Sequence, residues 1–271
     1  MSAVKKNYIV ETIRKAQLSE LLAKGKRLDG RSLEQYRELK IETQLIEKAN
    51  ASARVTLGNT QVIAGVKIAT GTPFPDTPDK GLLIVTAEVL PLSSPYAEAG
   101  PPDEDAIELA RVVDRGIRES EMVDLTELCI VAGKVVVTIF VDVSILNVDG
   151  NLFDATSFAV VSALKTAKMP KYVPDGDKAK ATGETIPVPV KRVPVSVTMA
   201  RIGNVLIVDP SIEEEAVMDA RITLTTDDDG NICAGQKGNP STFTPAQVMA
   251  AAELSTRKGK EIRKQIVGAA K

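Results

Sequence analysis

The sequence predicts an α+β fold made of two similar halves, and three features carry that prediction. Alternating β-rich runs meet at a Gly-Asn pair twice, at Gly58-Asn59 and at Gly203-Asn204. Such a pair between alternating strands signals a tight hairpin, because its residues tolerate positive φ. Each hairpin is followed by further strand-like runs and then by helix, a weak internal duplication. Between the two lies "PKYVPDGDKAKATGETIPVPVKR", rich in Pro, Gly and Lys, which reads as an exposed connection. Strands and helices arranged in blocks argue against a doubly wound sheet.

Taken in order, residues 5–24 place Ile9, Ile13, Ala16 and Leu21 near helical spacing, and Gly25 is a plausible stop. "KRLDGRSLEQYR" reads as a solvated basic turn, and "LKIETQLI" alternates as a strand does. After the first hairpin, "GLLIVTAEVLPL" adds a strand. Pro101, Pro102 and the acids after them suit a helix N-terminus, and Ile107, Ala110, Val113 and Ile117 give that helix an apolar face. "KVVVTIFVDVSILNVD" is a long β-branched strand, and residues 82–90 and 135–146 are expected to offer edges or faces to another chain. "FDATSFAVVSALKTAKM" reads as a buried helix stopped by Pro170. The second half repeats the scheme with hairpins in "VPVSVTMARIGNVLIVD" and "DARITLTTDDDGNICAGQKG", then a helix over 244–267. The boundaries follow: an N-terminal helix to 25, a first half over 26–170, a connecting loop over 171–190 and a second half over 191–271.

Composition narrows the chemistry. The chain has no histidine, which removes the usual neutral-pH base, the usual zinc ligand and every Ser–His or Cys–His pair. Cys129 and Cys233 stand far apart with no histidine to join them, so a metal finger is excluded and reduced thiols are expected. A net charge of −2 argues against a wholly basic nucleic-acid binder but leaves local patches open. Four Tyr, five Phe and no Trp make a base-stacking platform a poor fit. No apolar run reaches the ~18 residues of a membrane span, and the first residues lack a signal-peptide core, so a cytoplasmic location is expected.

"VDGNLFDAT", residues 148–156, joins a strand to a helix start through a Gly turn, the arrangement that cradles phosphate on unpaired N–H groups. Together with "RLDGR", "LGNTQV", "IELARVVDRGIRES" and "NVLIVDPSIEEEAVMDA", standing in that order, it resembles the RNase PH family from about residue 25 onward. More narrowly, the chain looks like the non-catalytic RNase PH-like subunit of the archaeal exosome ring, down to its "GPPDE" lead-in. The resemblance implies a duplicated βαβα-type fold of the ribosomal protein S5 domain 2 kind. It further implies a hexameric ring shared with a catalytic sister subunit, RNA-binding cap proteins, and single-stranded RNA threaded inward for phosphorolysis from its 3′ end.

Measured against active members, three places differ. Those members resemble one another in Asp-Gly-Gly-Thr-Arg at the turn, where Thr and Arg hold the attacking phosphate. Here Asp149 and Gly150 remain, but Leu152 and Phe153 take the Thr and Arg positions. A phosphate stripped of water needs charge-assisted hydrogen bonds, and a phenyl ring offers none. Active members look as if they use two Asp six residues apart; here Asp209 matches the first and Glu215 stands at the second, which still leaves two carboxylates able to hold a divalent ion, or simply an acidic helix N-terminus. Where active sisters carry paired Arg before the "IEL" helix, this chain has Glu104 and Asp105, which repel an anionic strand.

That helix keeps Arg111, Arg115 and Arg118 at i, i+4 and i+7, aligned on one face. From the residues alone the stripe is either a solvated row paired with Glu108, Asp114 and Glu119 or a set of phosphate contacts; the resemblance favours phosphate contact by Arg111 and Arg115, with Arg118 as the third RNA-binding candidate. The reading that results is a catalytically silent ring subunit, with no cofactor of its own, that completes a sister's RNA path. Its rivals are an active exoribonuclease using Asp209 and Glu215, and a structural spacer that never touches RNA.

Overall fold

The computed structural model describes residues 8–95, 97, 98 and 100–270. Residues 5–7 of the expected first helix, and the side chains at 9 and 13 of its apolar face, fall outside that description. What remains of it is α1 (Tyr8–Ala23), whose Leu18 and Leu22 pack on Ile202, Ile207 and Val217 of the second half.

The first half is a sheet of β1 (Leu39–Thr43), β2 (Ala51–Leu57), β3 (Thr60–Gly71), β4 (Leu82–Val89), β5 (Cys129–Val131) and β6 (Val135–Asn147). Its strands run in the order β1-β2-β3-β6-β4, with β5 paired to β6 off that path. Only β4 is parallel to its neighbour β6, and parallel partners need a crossover. The segment containing α2 (Glu104–Glu119) supplies it. The alternating burial of β3 fixes the register, with Val62, Ala64, Val66 and Ile68 turned to the core. Of the two strands expected to face other chains, β4 is an edge, but β6 lies between β3 and β4 and has no free edge.

The second half is a sheet in the order β10-β9-β11-β12, built from β9 (Val195–Ile202), β10 (Val205–Val208), β11 (Ala220–Thr226) and β12 (Ile232–Gly238). Both predicted Gly-Asn hairpins are present. Between the sheets lies α3 (Leu152–Thr166), which touches β2 and β3 of one and β9 of the other. Residues 152–164 of α3 are all buried, as its apolar residues on every side predict. Each large side chain so placed contributes about 1.5–3 kcal/mol. The short α4 (Ile212–Val217) and the long α5 (Pro245–Ala269) complete the fold, α5 entered through a Thr244/Gln247 capping box.

Three expectations need correction. The stretch 171–190 is not an irregular loop: it belongs to a hairpin of β7 (Lys168–Asp175) and β8 (Lys178–Pro187). In a two-stranded ribbon every strand is an edge, so its prolines cost no interior ladder bonds. The helix before it ends at Thr166, and Pro170 stands within β7 rather than stopping the helix. On α2, Ile107 is 50% exposed, and the buried face is Ala106, Leu109, Val112, Val113, Gly116 and Ile117.

Candidate nucleic-acid interface and degenerate phosphate site

The turn between β6 and α3 is closely covered on one side. Gly150 has φ +86°, and a Cβ there would lie 2.6 Å from the Ser211 carbonyl carbon and 2.7 Å from the Ile212 nitrogen. The entry to α4 therefore lies directly on the turn. Asn151, at φ 50°, caps α3 by accepting from the Asp154 N–H. Leu152 and Phe153 are buried in the core between the sheets. The Phe153 ring is covered by the Arg221 guanidinium, 3.9 Å from its centroid. The contact is a cation–π pair.

Asp209 is fully buried and its carboxylate is saturated from within. Arg31 Nη1 donates to Oδ2 at 2.8 Å; Arg37 donates through Nε at 3.0 Å and its backbone N at 2.8 Å to the same oxygen. Oδ1 accepts from Arg37 Nη2 and from Asn151 Nδ2, each at 2.8 Å. Burial alone pushes this acid up, but the hydrogen bonds and charge of Arg37 outweigh it and hold Asp209 below the usual carboxylate range. A divalent ion here would have to displace two guanidinium groups, so the pair Asp209 and Glu215 does not fit a metal.

Glu215 is in the opposite condition. Its Oε1 accepts from the Asn151 N–H at 2.9 Å, while Oε2 has no hydrogen-bond partner among the described residues. Burial raises its pKa to about 7, against the pull of the Asn151 N–H, Arg221 and Arg37. Asp154, buried beneath the turn, is raised to about 6 by burial, though Asn151, Thr198 and Tyr36 all donate to it. Asp209 and Glu215 thus meet through Asn151, one charged and spent, the other near half-protonated at neutral pH.

The turn read as solvated does expose Lys26, Leu28, Asp29 and Gly30, but its arginines turn inward. Arg27 is 3% exposed and makes a two-pronged pair with Glu214, at 2.8 Å through Nε and 2.5 Å through Nη2. It also donates to the carbonyls of Val208 and Asp209. Arg31 and Arg37 go to Asp209 as described. Sequence reasoning passed over all three, together with Asn151. The usable signal was four acids in "VDPSIEEE" with no matching cation nearby in the sequence, against three arginines in "RLDGRSLEQYR".

On α2 the three arginines separate. Arg118 pairs with Asp114 at 2.8 Å and donates to the Leu83 carbonyl at 2.9 Å, so it is engaged within the chain. Arg111 is exposed and has no hydrogen bond or ion pair among the described residues. Arg115, half-buried, reaches only Gln236 Oε1 among the described residues, at 3.5 Å. Of the acids a solvated row would use, Asp114 pairs with Arg118 as that reading expects, Glu108 goes to Arg221 at 2.6 Å, and Glu119 makes no ion pair among the described residues. Glu104 and Asp105 occupy the first turn of the helix, after the Asp103 cap, where the backbone dipole favours them.

Residues 35–170 match the 3′ exoribonuclease family, domain 1, and residues 192–258 match the 3′ exoribonuclease family, domain 2. The chain is 50% identical over 263 residues to the exosome complex component Rrp42 of Thermococcus kodakarensis, spanning 96% of this chain and 97% of the relative. It is 47% identical over 259 residues to the same component of Methanosarcina mazei, spanning 96% and 95%. A chain of the Archaeoglobus fulgidus exosome with RNA bound to the active site has the same fold, with a TM-score of 0.88 at 44% identity over 95% of this chain and 99% of that one.

Proposed function

The chain belongs to the 3′ exoribonuclease (RNase PH) family, and from that premise we propose that it is an exosome ring subunit that performs no phosphorolysis itself. In this reading it alternates with a catalytic sister subunit, and Arg111 and Arg115 of α2 hold the phosphates of single-stranded RNA on the way to the sister's active site. Caps that bind RNA sit on the same ring. The relatives named as exosome components support the ring role.

The silence of this chain rests on one observation above the others: every accessible lone pair of Asp209 is taken by Arg31, Arg37 and Asn151. An acid held charged by two guanidinium groups is a poor proton donor or acceptor near neutral pH. The loss of the phosphate-holding pair at Leu152 and Phe153 removes the nucleophile's site as well. The RNA role rests on unpaired charge at Arg111 and Arg115, which distinguishes them from Arg118 on the same helix.

The test is release of nucleoside diphosphates from single-stranded RNA with Mg²⁺ and phosphate. The pure chain should release none, while its complex with the sister should. Phosphate-dependent turnover by the pure chain, abolished by Asp209→Asn, overturns the silent reading. A monomer in light scattering that ignores the sister overturns the ring reading.

A further inference from the structure

Glu108 lies at i−3 from Arg111, a spacing at which opposite charges pair on a helix surface. It is placed to neutralise the stripe that the RNA reading needs, and it does not. Arg221 of β11 takes it instead, Nη2 donating to Glu108 Oε1 at 2.6 Å. The guanidinium of Arg221 is held on three sides. Phe153 lies beneath it at 3.9 Å. Gly238 faces it across the β11–β12 ladder, and a Cβ there would come within 2.6 Å of Nη2. Glu108 forms the third side. With its side chain 5% exposed, Arg221 is shut off from any ligand, so its charge acts only on its neighbours. Gln236 extends the chain of contacts: its Nε2 donates to Glu108 Oε1 at 3.2 Å, and its Oε1 accepts from Arg115 Nη1 at 3.5 Å.

We infer that Arg221 is a positioning residue that sequesters Glu108 and thereby keeps Arg111 and Arg115 available to RNA phosphates. The inference rests on the reading of those two arginines as RNA contacts. It gives the altered turn a use: Phe153 supplies the platform on which Arg221 lies, so the change that closes the phosphate cradle supports the RNA face.

The test uses the complex assembled with the sister and a single-stranded RNA, with affinity measured at low salt. Arg221→Met keeps an unbranched side chain over Phe153 but removes the charge. Glu108 is then free to turn to Arg111, and affinity should fall about two- to fivefold, the worth of a partly exposed ion pair. Adding Glu108→Gln should restore it to within about twofold of the parent. Glu108→Gln alone should leave binding equal or tighter, since the acid is already occupied. Arg221→Lys keeps a pairing charge and should retain most of the affinity.

A purely packing role predicts a loss in Arg221→Met that Glu108→Gln does not repair, and that result overturns the inference. So does weaker binding by Glu108→Gln alone. If Arg221→Met fails to assemble, Gly238→Ala displaces the guanidinium from its slot, and rescue by Glu108→Gln is read in that background. The double variant Arg111→Ala, Arg115→Ala separates the two layers. Parent-like binding there means the RNA reading itself is wrong. Weaker binding there, with parent-like binding in Arg221→Met, removes only the role of Arg221.

Discussion

Arg27, Arg31 and Arg37 at the entry to the first half, and Arg111 and Arg115 on α2, are the same residue type in opposite conditions. Arg27 and Arg31 are buried, Arg37 is partly buried, and all three meet carboxylates or carbonyls at almost every nitrogen. The other two have no acid on them among the described residues, although acids stand within reach in the sequence. A buried guanidinium that has its acid stabilises the fold and has nothing left for a ligand; one whose acid has been drawn away can still bind an anion. On the proposed reading, the first arrangement closes the phosphate turn and the second leaves an RNA face open.

The comparison breaks if the two groups respond alike to truncation. Arg37→Ala takes one of two guanidinium groups from buried Asp209 and leaves Arg31, so it should cost up to about 3 kcal/mol, the low end for breaking a buried pair. Arg111→Ala should change stability by no more than about 0.5 kcal/mol, the usual range for a surface position. Denaturant unfolding of the two variants side by side measures both. Equal losses would mean that Arg111 is bound within the fold after all.

A second substitution attacks the closed site directly. Leu152→Thr with Phe153→Arg rebuilds the phosphate-holding pair in sequence, yet it places a guanidinium against Arg221 in a buried space closed by α4. Two like charges with no added acid should destabilise the chain by about 3 kcal/mol or more. No phosphate-dependent RNA degradation should appear. A stable variant that degrades RNA would show that the closure at Gly150 and Asp209 is reversible.

Glu215 sharpens the comparison through pH. Its pKa is raised from an ordinary 4.5 to about 7 when folded, so between those values the folded state binds the extra proton. Stability from this group is therefore full below about pH 4.5 and is lost as pH rises to about 7, by on the order of 3 kcal/mol. Glu215→Gln keeps the acceptor for the Asn151 N–H and removes the titration. The variant should be more stable than the parent at pH 8 and close to it at pH 4.5, in thermal melts across that range. Asp154, raised to about 6, runs in the same direction and accounts for the slope that remains. A parent curve that rises from pH 4.5 to 7 would mean that Glu215 is charged and paired in solution.

The fold was legible where pattern and turn chemistry agree. Gly58-Asn59 and Gly203-Asn204 each mark a hairpin, and the all-round apolar sequence of α3 announces a helix between two layers. The β7–β8 hairpin was not, because Pro170, Pro174 and Pro187 outweighed the Asp175-Gly176 turn signal, although an isolated ribbon tolerates them. At the site, the apolar character of Leu152 and Phe153 was readable, and both side chains are buried. The state of Asp209 was not readable. Its partners Arg31 and Arg37 lie 178 and 172 positions away, and only the closed fold brings them together. The same holds for Glu108, whose i+3 neighbour Arg111 is the obvious partner in the sequence and Arg221 the real one.

The smallest expected effect is the most specific, because α2 contains its own control. If Arg111 and Arg115 each hold one phosphate, each alanine substitution removes one counterion-releasing contact from the assembled complex. The slope of log affinity against log salt should then fall by roughly 0.7 per contact for single-stranded RNA. The loss in affinity should be largest at low salt, fall on all sequences alike, and slow degradation of long RNA more than of very short RNA. Arg118→Ala removes an arginine three residues further along that pairs with Asp114 and donates to the Leu83 carbonyl. It should lower stability by about 0.5 kcal/mol and leave the salt slope where it was. Fluorescence titrations of the three variants at several salt concentrations make the comparison within one helix. Equal slopes in all three would assign the whole stripe to the fold. A change confined to Arg111 and Arg115 would trace RNA binding to the two arginines that the chain itself leaves without an acid.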